Sequence, residues 1–488
     1  MPLILALDAG TTGVRCVAFD PTLAVVDEAY RELTQHFPAP GEVEHDPNEI
    51  LHLAVTTLRE VAARVHEAGH DVMALGITNQ RETTVGFDRA TGAPFASAIV
   101  WQDRRTAPRC GELESQGHGP LIRRTTGLVL DAYFSATKMQ WLLEHGYADA
   151  ARVPSFATVD TWLIWHLTGG PRGGHFVTEP SNASRTMLLD LASATWSPAL
   201  TKLFGVSADM LPALQPSASS FGVVSDLVPE LLGVPIAGVL GDQQAALFGQ
   251  ACFETGLVKA TYGTGAFVLA NAGPTIPMIV DGLLTSIAWD LGDGTTTYAL
   301  EGSAFVAGAA VQWLRDLGFI DASSDLESLA LSVSDAAGVQ FVPSFTGLGS
   351  PFWRPEARGA IVGLSRGVGK GAIARALVEA LAYQVRAITD AFRSGGVELR
   401  ALRADGGAAA MDLLMQLQAT NSRATVARST SLEATARGAA SIAGLSVGLW
   451  SSLEELSALW RSDATFYAED PGLVDAGYEA WRRALERA

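Results

Sequence analysis

Cysteine is scarce: Cys16, Cys110 and Cys252 are the three in a chain of 488 residues. So few thiols, so far apart, build neither a disulfide framework nor a zinc pattern, and they suit a reducing cytoplasm. Positive charge is also in deficit. Lys and Arg number 34 against 52 Asp and Glu, for a formal net charge of −18. That sign argues against nucleic acid or an anionic membrane as the main partner. It still leaves room for an anionic cofactor, because backbone N–H groups and a metal ion can hold phosphate on an otherwise acidic protein. A leader segment is not apparent either. "MPLILALDAG" has no basic start and its apolar run stops at Asp8, so it reads as a strand. The longest uncharged run, Ala260 to Val280, is broken by Gly263, Gly265, Gly273, Pro274 and Pro277. It reads as strands and turns, with no membrane insertion.

What is present is a well-buried globular composition, 48% hydrophobic and 18% charged. Disorder is excluded on that balance. The length exceeds what one core sustains, so two or three domains are expected. "LILALDAGTTGVRCVAFD" reads as strand, turn, strand, and "GLVKATYGTGAFVLANAG" from Gly256 reads the same way. The two hairpins lie half a chain apart, which points to two related domains. The segment from Glu49 is an amphipathic helix, followed by the strand "VMALGIT". Ile373, Leu377, Leu381, Val385, Ile388 and Phe392 keep a helical period until Gly395 and Gly396 stop it. "LRADGG" reads as a strand and turn, with "AAAMDLLMQLQ" opening the next helix. Strands and helices alternate, so the class is α/β. The boundary is expected between Gln244 and Gly256, giving domains over 1–248 and 249–488.

Three glycine turns stand out: "DAGTTG" from Asp8, "YGTGAF" from Tyr262 and "ADGGAA" from Ala404. A turn of this kind presents successive N–H groups to an anion, and threonine adds hydroxyls. The same residues also make ordinary hairpin turns. Asp8, at a strand end, can hold hydrated Mg²⁺. Asp242 follows a small apolar strand. It is placed either to take a proton from a substrate hydroxyl or to cap the helix "QQAALFG", and the two roles are compatible. Arg81 and Glu82 stand side by side where a strand runs out. Adjacent strand residues face opposite ways, so both reach one ligand only if the backbone turns there. Arg donates and ionised Glu accepts, which suits neighbouring hydroxyls of a small polyol. Trp101 and Tyr133, read alone, are packing residues.

These segments, with "YFSATKMQWLLEH", "GAIVGLSRGVGKGAIARALVEA", "SNASRTML", "GDQQAALFGQ" and "PSFTGLGSPFW", resemble the FGGY family of carbohydrate kinases over almost the whole chain. The resemblance is strongest to the branch that acts on glycerol. It implies two actin-like (ribonuclease H-like) domains flanking a nucleotide and substrate cleft. It implies ATP-dependent phosphorylation of glycerol to sn-glycerol 3-phosphate, the entry step of glycerol catabolism, in the cytoplasm. By position, Arg81, Glu82 and Tyr133 would contact glycerol hydroxyls. Trp101 and Phe267 would wall its carbon chain, and Gln243 would lie beside it. Asp242 would be the catalytic base. Thr11, Thr12, Gly13 and Arg15 would serve one phosphate turn and Thr264 the other. Gly308, Gln312, Gly407 and Met411 would complete the ATP site, with Asp8 near Mg²⁺. A homodimer or a homotetramer is left open.

Three departures from the family pattern carry expectations. Ala9 and Gly13 stand where a Gln and a Ser are frequent, so a side-chain hydroxyl is lost near the phosphates. Met411 replaces an Asn that helps read adenine, which predicts looser discrimination among nucleoside triphosphates. With no histidine after His175, the phosphohistidine switch of some relatives has no counterpart. The rival readings are an FGGY kinase for another small polyol or ketose, and a non-catalytic ATP-binding module on an actin-like scaffold.

Overall fold

In the computed structural model, the strand β1 (Pro2–Ala9) is buried on both faces and pairs antiparallel with β2 (Gly13–Phe19). Residues 1–146, 154–431 and 433–488 are described. Burial on both sides is why the run "LILAL" shows no polar alternation. Next comes β3 (Val25–Glu32), then the long helix Pro47–Glu67, whose N-terminus is capped by Asp46 accepting from the Asn48 N–H at 2.8 Å. The strand β4 (Asp71–Asn79) returns parallel to β1, and β5 (Ile236–Gly241) lies parallel to β4. The sheet order is β5-β4-β1-β2-β3.

The second half repeats this plan. Strands β6 (Leu257–Tyr262) and β7 (Ala266–Gly273) form the second hairpin. They are followed by β8 (Leu284–Asp290), β9 (Thr296–Ala304), β10 (Ala401–Asp405), β11 (Thr425–Ser429) and β12 (Ser462–Phe466). The order is β8-β9-β7-β6-β10-β11-β12. Its middle, β9-β7-β6-β10-β11, has the same mix of antiparallel and parallel neighbours as β3-β2-β1-β4-β5. The half-chain spacing of the hairpins is thus the spacing of two sheets with one topology.

The helix predicted to stop at the Gly395–Gly396 pair runs Lys370–Ser394, with Gly395 as its C-cap. The helix expected from "AAAMDLLMQLQ" starts later than read. Gly407–Ala410 is a 3₁₀ turn, Met411 is extended, and the α-helix is Asp412–Ser422. The cause lies elsewhere in the chain: Glu327 accepts the Leu413 N–H at 2.6 Å and serves as the cap from a neighbouring helix.

The lobes meet through two helices. Asp242–Gly249 follows β5, and Ala434–Ser446 comes from the second half yet packs on β1, β4 and β5 of the first. A Cβ on Gly249 would stand 1.9 Å from the Ala434 carbonyl oxygen, and one on Gly438 1.8 Å from that of Ala245. Backbone-to-backbone contact of this kind admits only glycine. Leu247, Phe248, Leu269, Trp289, Ala439 and Ile442 fill the shared core. Among the described residues no helix is long and apolar enough to cross a membrane.

Candidate active site

The first turn, between β1 and β2, is held from behind. The Gly10 carbonyl accepts from Gln80 Nε2 at 3.1 Å and that of Thr11 from Gln35 Nε2 at 2.6 Å. Thr12 accepts from the Leu33 N–H at 3.0 Å, and Gly13 from the Gly10 N–H at 2.9 Å. With the carbonyls engaged, the N–H groups of Thr11 and Thr12 bond to none of the described residues. Trp101 Nε1 donates to Thr11 Oγ1 at 2.8 Å, so the hydroxyl proton of Thr11 must point elsewhere. The hydroxyl missing at Gly13 has a local cause: a Cβ there would lie 2.4 Å from the Tyr30 ring. Arg15 is turned to an ion pair with Glu433 and lies 5.5 Å from the Tyr30 centroid. Burial and then the Asp242 charge push the Asp8 carboxyl up to about 7, with Arg15 opposing.

The second turn sits in a cavity of about 800 Å³. Its lining brings Thr264, Gly308, Gln312, Gly407 and Met411 together, with Glu327 as the one charged residue. The helix Gly308–Asp316 rests its first N–H groups on this turn: Ala307 and Ala309 donate to the Thr264 carbonyl at 2.8 and 3.1 Å. Gln312 spends one amide proton on Asp316 at 2.7 Å. Thr11, Thr12 and Gly13 do not line this cavity.

A buried charge cluster is built around Arg81 and Glu82, where β4 ends. Arg81 and Glu82 are 3% and 2% exposed. Glu82 has φ +61°, so the backbone does turn after β4, as a shared ligand requires. Arg81 Nη1 and Nη2 donate to Glu301 Oε2 and Oε1 at 2.7 and 3.0 Å, its Nη1 also reaches Gln244 at 3.1 Å, and its Nε lies 3.0 Å from Asp242 Oδ1. Arg185 Nε holds Glu82 Oε1 at 2.5 Å, while its guanidinium faces the Tyr133 ring at 5.3 Å. Burial would raise Glu301, but Arg185 and Arg81 together lower it to about 2. Lys138, on the helix Ser135–His145, donates to the Tyr133 carbonyl at 2.6 Å and the Glu82 carbonyl at 3.4 Å, fixing both backbones.

Asp242 is not the helix cap allowed for above. Gly241 takes that place, and Asp242 is the first helical residue, leaving its carboxylate partly exposed beside Arg81. Trp101 and Tyr133 meet edge to face at 5.5 Å. Phe267 comes from the other lobe. It pairs with Ser303 across β7 and β9, while Leu269, two residues on, pairs with Glu301. Cross-strand partners share a sheet face, so Phe267 and Glu301 look the same way.

Glu301, Arg185 and Lys259 belong to this constellation and were passed over in the sequence. A signal existed: Glu301 stands inside "YALEGSAF" and Lys259 inside "GLVKATY", single charges in small apolar strands. Such residues are rarely buried unless paired. Among the described residues no group of three or more His, Cys, Asp or Glu forms a ready cation cage. A magnesium ion needs less, one or two carboxylates plus phosphate and water oxygens. Asp8 fits that role, since its carboxyl has no hydrogen-bond partner among the described residues and is raised by burial and then by the Asp242 charge, both of which a bound cation would offset.

Known proteins with this sequence pattern are numerous. The family described as "FGGY family of carbohydrate kinases" matches residues 3–249 with its N-terminal domain and 258–447 with its C-terminal domain. A glycerol kinase of Bordetella parapertussis is 48% identical over 496 residues, spanning 99% of this chain and 96% of its own length. One of Leptothrix cholodnii is 49% identical over 500 residues, spanning 100% and 99%. Among solved structures, Plasmodium falciparum glycerol kinase with ADP matches at TM-score 0.94 and 35% identity, over 100% of this chain and 98% of that one. Gluconate kinase from Lactobacillus acidophilus matches at 0.90 and 19% identity, over 100% and 98%, a likeness of fold alone.

Proposed function

Because the chain belongs to the FGGY family of carbohydrate kinases, we propose that it transfers the γ-phosphoryl group of ATP to glycerol, giving ADP and sn-glycerol 3-phosphate. The observation that carries this reading is the buried Arg81–Glu82 pair, with Asp242 3.0 Å from Arg81 and a phosphate-type turn on each lobe. Relatives named glycerol kinase over their full length support the choice of polyol.

Phosphoryl transfer asks a protein mainly for positioning and charge stabilisation. Glu82 has one oxygen on Arg185 and would accept a glycerol hydroxyl on the other. Arg81 would donate to the neighbouring hydroxyl. Trp101, Tyr133 and Phe267 would wall the carbon chain, leaving the third hydroxyl toward Asp242. Asp242 would orient that hydroxyl and take its proton. The N–H groups of Thr11 and Thr12 and the turn at Thr264 would hold phosphate oxygens from two sides. Asp8 would hold magnesium, which supplies charge neutralisation on the phosphates when bound. Closure of the lobes would exclude water from the reacting phosphate.

The test is coupled ADP release with glycerol, dihydroxyacetone, erythritol and xylulose. Glycerol is expected to give the highest kcat/KM. Turnover on a ketose in preference to glycerol would replace the substrate. ADP release independent of any polyol would remove the kinase reading in favour of an ATP-binding module.

A further inference from the structure

Lys259, on β6, is fully buried, and its ammonium has two acceptors: Gln243 Oε1 at 2.5 Å and Thr261 Oγ1 at 3.2 Å. Gln243 directly follows Asp242 on the helix Asp242–Gly249 of the first lobe, whereas Lys259 is on a strand of the second, so this contact joins the two lobes. An amide has two ends of nearly the same shape and opposite hydrogen-bonding character. An ammonium only donates. It therefore selects the oxygen end of Gln243 and turns the NH2 end away from β6.

The same logic runs back through a chain of bonds. Trp460 Nε1 donates to Gln250 Oε1 at 2.7 Å, so Gln250 presents its NH2 to Asp405. The Thr261 hydroxyl lies on the Asp405 side and favours the charged form of that carboxyl, while the hydroxyl oxygen accepts from Lys259. Donor-only groups at Trp460 and Lys259 thus fix the orientation of both amides. We propose that Lys259 is a positioning residue that holds the Gln243 NH2 group as a hydrogen-bond donor toward the oxygens of the bound substrates. The inference rests on the reaction proposed above.

The groups facing Lys259 are Asp405 on β10, Glu301 on β9, and Asp242 and Arg81 from the first lobe, with Cys252 nearby. Burial brings its ionisation down to about 8, with those carboxylates opposing and Arg81 adding to the fall. Above that range the neutral amine can accept as well as donate, and the choice of amide end is lost.

Three variants test the role: Lys259→Met, Lys259→Arg and Gln243→Glu. Losing a donor to a charged oxygen costs about 10- to 100-fold in kcat/KM. Lys259→Met should show that loss, and Lys259→Arg should recover part of it. Gln243→Glu is the decisive case. Its carboxylate keeps an acceptor for Lys259 and so keeps the fold, yet it has nothing to donate. A comparable loss with an unchanged melting temperature supports the proposal; wild-type kcat/KM overturns it. A second readout needs no turnover. In ¹⁵N-glutamine-labelled protein the Gln243 side-chain signal should move with pH around the Lys259 ionisation and stay fixed in Lys259→Arg. A pH-independent signal in the unaltered protein overturns the coupling. Absence of glycerol turnover in the unaltered protein would instead discard the assigned reaction while this titration still judges the amide.

Discussion

Arg81 divides its guanidinium between the lobes: Nε faces Asp242 Oδ1 at 3.0 Å on its own side, while both Nη atoms hold Glu301 on the other at 2.7 and 3.0 Å. The residue that would grip the polyol is thus tied both to the proposed base and to the opposite sheet. Arg185 shares Glu301 with Arg81, at 3.4 Å, and holds Glu82 at 2.5 Å. Seating of the clamp and seating of the lobes become one event.

Removing Glu301 should therefore cost more than a surface ion pair. Glu301→Ala strips both Nη atoms of Arg81 of their buried carboxylate and leaves the two guanidinium groups only Glu82 and the partly exposed Asp242, a change expected to destabilise by about 3–5 kcal/mol. The acid dependence has a definite sign. With Glu301 near 2 in the folded chain and 4.5 as its ordinary value, its contribution is fully present above 4.5 and is lost as pH falls toward 2. Melting temperature measured from pH 6 to pH 3 should fall less steeply in Glu301→Gln than in the unaltered chain. Parallel curves would show that the pair does not carry the acid sensitivity.

Asp242→Asn keeps an oxygen for Arg81 Nε but cannot accept a proton. The turnover number should fall by about 10² to 10⁴, with glycerol affinity by calorimetry within a few-fold of the original. Near-normal turnover would take Asp242 out of the base role.

Asp8 gives a pH effect of opposite sign to that of Glu301. Its folded-state ionisation is raised from 3.8 to about 7. Folding therefore favours the protonated form, and the stability this lends at low pH is lost as pH rises through about 7. A metal needs the carboxylate. Affinity for the magnesium nucleotide should strengthen from pH 6 to pH 8 and level off above. Asp8→Asn should bind more weakly and lose that slope. A slope unchanged in the variant would assign it to another group.

Both hairpins, the long helix ending at Gly395 and the turn after Asn79 could be read from the chain, because each is set by a few neighbouring residues. The partner of Arg81 on the opposite sheet could not. Glu301 is 220 positions away, and only the packing of one sheet against the other brings it there. The late start of the helix Asp412–Ser422 has the same origin, since its cap, Glu327, comes from a distant segment. Gly13 was read as a lost hydroxyl; the Tyr30 ring that occupies the space lies on a strand whose register local sequence does not give.

Met411 makes nucleotide selectivity a direct measurement. It is 8% exposed and lines the cavity among Ala408, Ala410 and Val311. Glu327, the charged residue of that lining, already has one oxygen on the Leu413 N–H. Apolar walls discriminate weakly between bases, whereas a placed hydrogen-bonding group discriminates strongly. The kcat/KM values for ATP and GTP should differ by less than about tenfold, and Met411→Asn should widen the gap. A strong preference for ATP in the unaltered chain would contradict this.

The contact between Asp242–Gly249 and Ala434–Ser446 yields the last expectation. A methyl group at Gly438 would lie 1.8 Å from the Ala245 carbonyl oxygen and 2.6 Å from its carbon. No rotamer relieves a clash with backbone, so Gly438→Ala must move one helix off the other. Overpacking of this kind costs about 1–3 kcal/mol. The helix that moves carries Asp242 at its first position and Gln243 at its second, so the displacement reaches the groups proposed to flank the acceptor hydroxyl. Turnover should fall together with melting temperature, although Gly438 stands at the helix interface and touches neither turn. Ala434→Gly, which removes a side chain on the same helix and adds no bulk, should lower melting temperature with much less effect on kcat. Equal effects of the two variants on kcat would mean that general loosening, and not the seating of Asp242, limits the reaction.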